Sequence, residues 1–169
     1  MALLSPYSKV PELNTATVLL VENEEELQNK LANAIVQHEK DFNVNVRLAK
    51  KLPLPVENKE ARPRIDLIVF IVSLLSERSL QSAESSLSHL HSDCFLGKVC
   101  FLVTDARCGS HTQERLVSVR KLAASHHCPV ICAEHRVSAG MTPISTTALY
   151  LSTLTRCSLT SDLQEDYLQ

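Results

Sequence analysis

The segment at residues 65–72, IDLIVFIV, limits the possible folds of this chain more than any other feature of its sequence. Every residue in it except Asp66 is apolar. A strand with apolar side chains on both faces has to be covered on both faces, as in the centre of a parallel sheet. Residues 15–21 (TATVLLV) and 99–103 (VCFLV) have the same character, so we predict that they are buried strands as well.

Segments with helical periodicity separate these strands. Apolar residues recur at helical spacing in four of them, at residues 23–38, 79–90, 112–126 and 142–154. At the start of the last segment, Thr142 is a suitable N-cap and Pro143 suits the first helical position. We therefore predict four amphipathic helices.

Two shorter strands, at residues 44–48 and 129–132, complete an alternating order of strands and helices. Such alternation predicts an α/β fold with three layers, in which a mostly parallel sheet carries helices on both faces. With 169 residues the chain has the size of one domain. We predict that this domain covers residues 1–157 and that residues 158–169 form a C-terminal tail.

Glycine is scarce in this chain, which bears on the ligands that such a sheet could bind. Parallel sheets bind ligands at the carboxyl ends of their strands, and a phosphate-binding loop after the first strand needs glycines, a lysine and a hydroxyl group. The chain has only three glycines, all after residue 96. Glu22 and Leu27 stand at the glycine positions of such a loop, while Gln28 and Asn29 replace the lysine and the hydroxyl residue. We therefore predict an acidic helix start and no phosphate site.

The cysteines and the apolar runs indicate the compartment. No apolar run approaches the roughly 20 residues of a membrane helix, and the first residues do not form a signal peptide. We therefore expect a soluble intracellular protein whose six cysteines are reduced.

One group of residues invites a zinc site. It consists of His126, His127, Cys128, Cys132 and His135, which are zinc-ligand types. The spacing matches no standard zinc motif, because the two cysteines are not a C-x2-C pair and no second pair faces them. We expect Cys132 to pack in a buried strand, and a zinc-stabilised binding module stays open as an alternative.

The middle connection is rich in basic residues, namely Arg47, Lys50, Lys51, Lys59, Arg62 and Arg64. They could form a modest patch for an acidic partner or a DNA backbone, although nearby glutamates balance part of the charge. The net charge of −2 excludes a globally basic nucleic-acid binder. We expect these side chains to be mostly solvated, with DNA contact at most indirect or weak.

The order of strands and helices resembles that of Ras-like small GTPases over nearly the whole chain. The guanine-binding motifs of that family, N-K-x-D and S-A-K, are absent. At the corresponding positions lie Asp105, Ala106 and Cys108, followed by Glu134, His135 and Arg136. No D-x-x-G switch segment occurs between the second and third strands. The resemblance therefore implies the fold of a small GTPase without its switch and nucleotide motifs.

Longer blocks resemble the vertebrate centromere protein M family, at residues 13–21, 52–55, 62–70 and 95–102. This resemblance implies a catalytically inactive, small-GTPase-like subunit of the inner kinetochore, in the nucleus. It also implies membership of the constitutive centromere-associated network, with centromere proteins I, H and K as partners and contact chiefly with centromere protein I. Neither GTP nor another cofactor is expected, and the chain is expected to be a monomer within a hetero-complex.

Two apolar groups are candidates for partner binding. Phe95 and Leu96 lie in the loop before the strand at 99–103, where the core needs no apolar pair, although this loop could equally pack on its own helix. In the acidic tail, Leu159 and Leu163 have near-helical spacing, which is typical of a short docking helix. We predict these four residues as partner-binding residues.

An enzymatic alternative also stays open. An atypical nucleotide-binding or hydrolytic enzyme would use Asp105, Glu134 and His135 at the strand ends. The sequence has no G-x-S-x-G elbow and no known catalytic-cysteine motif. We therefore predict no catalytic residue and favour a non-catalytic adaptor.

Overall fold

The computed structural model describes residues 15–22, 28–38, 43–52, 64–95, 97–105 and 109–133. The predicted helix at 142–154 and the tail lie outside these residues. Within the described part of the chain, no helix is long and apolar enough to cross a membrane. The elements are β1 (Thr15–Val21), α1 (Gln28–His38), β2 (Asn43–Ala49), β3 (Leu67–Ser73), α2 (Glu77–Leu87), a 3-10 helix (Ser92–Phe95), β4 (Val99–Thr104), α3 (Ser110–Ser125) and β5 (Val130–Ala133).

The strands form one five-stranded parallel sheet in the order β2-β1-β3-β4-β5. This arrangement confirms the predicted α/β fold, and its strand order is that of flavodoxin-like sheets. The most apolar strand, β3, lies in the centre between β1 and β4. β2 and β5 form the two edges.

The helices divide the core into two layers. In the α1 layer, Leu31 and Ile35 pack on the face of the sheet that carries Val69. In the α2–α3 layer, on the other face, Leu87 and Val119 belong to the cluster that contains Phe70. Successive side chains of β3 alternate between the two layers, which is why the segment has to be continuously apolar.

Aromatic packing joins the two central strands in the α2–α3 layer. Phe70 of β3 and Phe101 of β4 are partners in the register, and their ring centroids lie 5.6 Å apart in a stacked arrangement. Both side chains are fully buried. Burying each of them contributes about 1.5–3 kcal/mol to the free energy of unfolding.

Two helices begin slightly earlier than the sequence predicts. Ser79 was the expected start of α2, but it lies inside the helix, where its Oγ accepts a hydrogen bond from the Ser73 N–H at 3.0 Å. Thr112 was the expected start of α3, but it lies in the first turn and its Oγ1 donates to the carbonyl oxygen of Gly109 at 2.6 Å. Hydroxyl residues that bond to nearby backbone inside a helix resemble N-caps in sequence, which explains both errors.

The amino end of the sheet contains a buried charged pair. The Thr17 N–H donates to Asp66 Oδ2 at 2.8 Å, and Arg64 Nε donates to Asp66 Oδ1 at 3.0 Å. The Asp66 N–H in turn donates to the carbonyl oxygen of Thr17 at 2.9 Å. These bonds fix the start of β3 against β1. The expectation that Arg64 is solvated is therefore wrong, because its side chain is only 9% exposed.

Candidate functional site

A glutamine side chain joins the carboxyl ends of β1 and β2. Gln28, the first residue of α1, is buried, and its Nε2 donates to the carbonyl oxygens of Leu20 at 2.9 Å and Ala49 at 2.8 Å. This is the residue that stands where a phosphate-binding loop has its lysine. Both amide protons of Gln28 are directed at the chain's own backbone, where a lysine would direct its charge at a ligand.

The residue that follows β1, Glu22, is also buried. Glu22 is buried at 7% exposure, and its N–H donates to the carbonyl oxygen of Ala49 at 3.0 Å. This bond extends the β1–β2 pairing by one residue beyond the strands. A carboxyl group at this point adds negative potential whenever it is ionised, which disfavours phosphate groups.

A carboxylate lies between the ends of β3 and β4. Asp105 Oδ2 accepts hydrogen bonds from Ser73 Oγ at 3.2 Å and from Thr104 Oγ1 at 3.1 Å. Asp105 has φ +64°, in the left-handed region that aspartate tolerates better than most residues. On the α2–α3 side, Arg115 Nη1 donates to the carbonyl oxygen of Leu74 at 2.7 Å and so ties α3 to the turn after β3.

Chemically, these contacts stabilise the turns that follow the strands. The Ser73–Asp105 bond is a hydroxyl–carboxylate contact, which orients both groups. Glu134 and His135, the other members of the alternative enzymatic site, lie outside the described residues. The alternative of an enzymatic site therefore stays a prediction.

The loop before β4 is anchored in the core. Cys94 is fully buried, and burial, reinforced by the charge of Asp93, raises the pKa of its thiol to about 12. The Lys98 N–H donates to the carbonyl oxygen of Cys94 at 3.1 Å. Between them Gly97 has φ +86°, a conformation that favours glycine.

The predicted partner-binding residue Phe95 is half-buried in this loop. It packs against the α2–α3 layer, and its ring centroid lies 4.9 Å from that of His126 at the end of α3. The expectation that the core needs no apolar residue here is therefore wrong for Phe95. Its role in partner binding stays a prediction, as do those of Leu96, Leu159 and Leu163, which lie outside the described residues.

The structure does not bring the described members of the possible zinc group together as metal ligands. Cys132 is exposed, contrary to the expectation of a buried position, because β5 is an edge strand. Burial raises the pKa of the Cys128 thiol to about 11, which disfavours the thiolate that zinc requires. Within the described residues no three histidine, cysteine or acidic side chains form a group that could hold a metal ion. His135 lies outside this part of the chain.

The exposed members of the basic group lie at one corner of the sheet. Arg47 near the end of β2 and the following Lys50 and Lys51 are exposed. Lys59 and Arg62 lie outside the described residues. Of the described basic residues, only Arg64 is removed from the exposed group, and the three exposed ones lie in β2 or just after it.

Sequence reasoning missed the contacts of two acidic residues. A signal for the first was available, since Asp66 is the single polar residue in a continuously apolar segment, and such a residue has to be paired when buried. For Asp105 no comparable signal exists, because its contact with Ser73 depends on the parallel register of β3 and β4.

Comparison with solved structures finds parallel α/β proteins of low sequence identity. A CheY-like response regulator receiver domain from Methanospirillum hungatei JF-1 has a TM-score of 0.45 and 10% identity, with coverage of 89% of this chain and 98% of the other. The bacteriophytochrome response regulator AtBRR has a TM-score of 0.40 and 16% identity, with coverage of 83% and 92%.

Comparison with curated sequences finds much closer relatives. Centromere protein M of Danio rerio is 90% identical over 186 aligned positions that cover 100% of both chains. Because the alignment has 186 positions and this chain has 169 residues, at least 17 positions have no counterpart here. Centromere protein M of Homo sapiens is 45% identical over 137 residues, which cover 81% of this chain and 75% of the human protein.

The family profile agrees with these relatives. Residues 1–138 match the centromere protein M (CENP-M) profile, so the match includes every described element from β1 to β5. The chain therefore belongs to the centromere protein M family.

Proposed function

We propose that this chain is a non-catalytic adaptor subunit of the inner kinetochore, located at centromeres in the nucleus. Its small-GTPase-like scaffold serves protein binding, with no bound nucleotide. Within the constitutive centromere-associated network its partners are centromere proteins I, H and K, and it is a monomer within their hetero-complex. Loss of the chain is expected to impair centromere assembly and chromosome segregation. The family membership and the names of the relatives support this proposal.

The single observation that carries the non-catalytic part is the bonding of Gln28. In parallel α/β sheets the carboxyl end of the first strand is the usual phosphate site. Here a neutral amide bonds to the carbonyl oxygens of Leu20 and Ala49, and buried Glu22 lies beside it. These groups hold β1 and β2 together and offer no cation to a triphosphate.

The partner-binding part rests on the loop before β4. Buried Cys94 and half-buried Phe95 give this loop a rigid base, because both pack on the α2–α3 layer. Leu96 follows directly in the chain, and we assign it to the contact with centromere protein I. Leu159 and Leu163 of the tail are proposed as a second part of the same interaction.

Co-purification tests this function. Leu96→Glu is expected to reduce recovery of co-expressed centromere protein I by about tenfold, because a glutamate in an apolar contact is desolvated without a partner. Leu75→Glu is the matched control, because it makes the same chemical change at the opposite end of the sheet. Leu75 is 59% exposed. Both variants should unfold at the wild-type temperature.

A nucleotide titration of the same wild-type protein separates the adaptor from an enzyme. Calorimetry with GTP or GDP and magnesium is expected to show no binding. A Kd below about 10 μM, an ordinary strength for a working nucleotide site, would contradict the non-catalytic proposal. Unchanged recovery of centromere protein I with Leu96→Glu would contradict the assigned interface and leave the prediction that the chain binds no nucleotide unaffected.

A further inference from the structure

The outer edge of β2 is an open strand. β2 pairs with β1 over seven consecutive residues without a bulge, and no other described strand pairs with it. Ala49 faces β1, because its carbonyl oxygen accepts the Glu22 N–H. Backbone groups alternate in direction along a strand, so Val44, Val46 and Leu48 direct their N–H and C=O groups away from the sheet. No described residue bonds to these groups.

Natural sheets normally protect such an edge by charged side chains, a proline, a bulge, a very short strand or a covering element. Of these devices, the described residues of β2 show only a charged side chain, that of Arg47. The other edge strand of this sheet, β5, is short, with four residues. β2 has seven residues and no proline, and its register is unbroken. Among the described residues, nothing covers or interrupts the outer edge of β2, which leaves this edge available for pairing with a further strand.

The two faces of β2 differ chemically. On the α1 side, Val44 and Val46 are half-buried against the α1 layer, and Leu48 is 44% exposed. Val36 of α1 is 53% exposed and lies one helical turn beyond Ala32, which packs on the same layer. Exposed and half-buried apolar side chains of β2 and α1 therefore lie on this side of the sheet.

The opposite face of β2 is polar and basic. Asn43, Asn45 and Arg47 are exposed on it, and Lys51 is exposed just after the strand. No described acidic side chain is exposed on β2 itself, between residues 43 and 49. The edge thus combines an apolar side, open backbone groups and a positively charged side.

We propose that the outer edge of β2 binds an extended segment of a protein partner, which adds to the sheet as a sixth strand. Residues of an added strand alternate between the two faces of the sheet. Apolar side chains of the segment would therefore contact Leu48 and Val36, and acidic side chains would lie opposite Arg47 and Lys51. The partner segment is one in which apolar residues alternate with acidic ones. This surface is separate from the Phe95 loop.

Nuclear magnetic resonance of the full chain with a synthetic peptide tests the proposal. The probe is an eight-residue, end-capped peptide in which valine alternates with glutamate, and its counterpart alternates valine with lysine. The glutamate peptide is expected to bind with a Kd of about 0.1–1 mM at low salt and more weakly at high salt. Binding should slow the hydrogen exchange of the Val44, Val46 and Leu48 amides, whereas the Asn45 and Arg47 amides are protected by β1 from the start.

Two pairs of variants, each a change and its control, address the two halves of the proposal. Arg47→Glu should weaken binding of the glutamate peptide about fivefold, and Arg120→Glu, the same change on an exposed face of α3, should leave it unchanged. Val46→Pro should abolish binding, because it removes an outward N–H that the β1 ladder does not use, while Val46→Thr keeps the N–H and should bind. The amide spectrum of each variant reports whether it is folded.

Several results would overturn the proposal. These are the absence of binding at 1 mM peptide in low salt, equal binding of the lysine peptide, and binding that leaves the exchange of the three outward amides unchanged. If Val46→Pro does not fold, the exchange data and the Arg47→Glu and Arg120→Glu pair still decide between edge pairing and its absence.

Discussion

At the amino end of the sheet a charged pair, Arg64 and Asp66, is buried beside β1, whereas at the carboxyl end the neutral amide of Gln28 bonds β1 to β2. Both groups satisfy backbone atoms of the same strand from opposite ends. A buried charge requires a partner, and Asp66 has it within the chain. A buried amide needs only hydrogen bonds, and the Gln28 amide donates two of them to carbonyl oxygens.

The difference concerns which side chains bond the strands together at the carboxyl end, where parallel sheets usually bind a ligand. In a nucleotide-binding sheet the charged groups lie at the carboxyl end, where the phosphates complete their pairing. In this chain the buried charged pair lies at the amino end, and at the carboxyl end the neutral amide of Gln28 lies where a phosphate-binding loop has its lysine. The Gln28 amide bonds to the chain's own backbone, in keeping with the proposed adaptor function.

The largest effect is expected from Asp66→Ala. The change removes the acceptor of the Thr17 N–H and leaves the Arg64 guanidinium buried without its carboxylate, so the free energy of unfolding should fall by about 3–5 kcal/mol. Urea denaturation of the full chain measures this. Asp93→Ala is the control, because the Asp93 side chain is 43% exposed and its contact with His91 should contribute at most about 1 kcal/mol. Equal losses for the two variants would remove the distinction between the buried pair and an ordinary surface pair.

Much of the fold could be anticipated from the sequence, because three strands are continuously apolar and only a sheet covered on both faces accommodates them. The burial of Cys132 was predicted wrongly for a related reason. Residues 129–132 are apolar enough for a buried strand, but the pattern does not say that β5 lies at an edge. Contacts between strand ends, such as Ser73 with Asp105, depend on strand order and register, which no local pattern encodes.

An intermediate effect is expected at alkaline pH from Cys94, in the loop at the amino end of β4. Its thiol has a pKa of about 12 in the folded chain against an ordinary value of 9.0, chiefly because it is buried. Between these values unfolding releases a proton, so stability falls as pH rises, by up to about 1.4 kcal/mol per pH unit. Between pH 9 and 10.5 this contribution amounts to about 1–2 kcal/mol, and below pH 8 it vanishes.

Urea denaturation at several pH values isolates this contribution. Cys94→Ala should show a shallower loss of stability above pH 9 than the wild-type chain, although its stability at pH 7 is lower because a buried group is missing. Cys132→Ala, a change at an exposed thiol, should retain the wild-type slope. Parallel slopes for all three proteins would mean that the Cys94 thiol is already solvated in the folded chain.

An effect of similar size is expected from Gln28→Ala, and it bears most directly on the carboxyl end. The two carbonyl oxygens that lose the amide still accept backbone hydrogen bonds, as Ala49 does from Glu22, so the free energy of unfolding should fall by only about 1–2 kcal/mol. Gln81→Ala, at an exposed position of α2, is the matched control and should change it by less than about 0.5 kcal/mol.

Gln28→Glu sharpens the same test, because it keeps the shape of the side chain and removes its donors. At neutral pH the introduced carboxylate would face two carbonyl oxygens, so this variant should be less stable than Gln28→Ala. Its folded-state pKa should be raised by burial and by these oxygens, so the deficit should shrink as pH falls and the protonated group donates to one of them. A Gln28→Glu variant as stable as the wild type at pH 7 would show that the amide bonds do not hold β1 and β2. The carboxyl end would then be a vacated ligand site, not a structural junction comparable with Arg64 and Asp66.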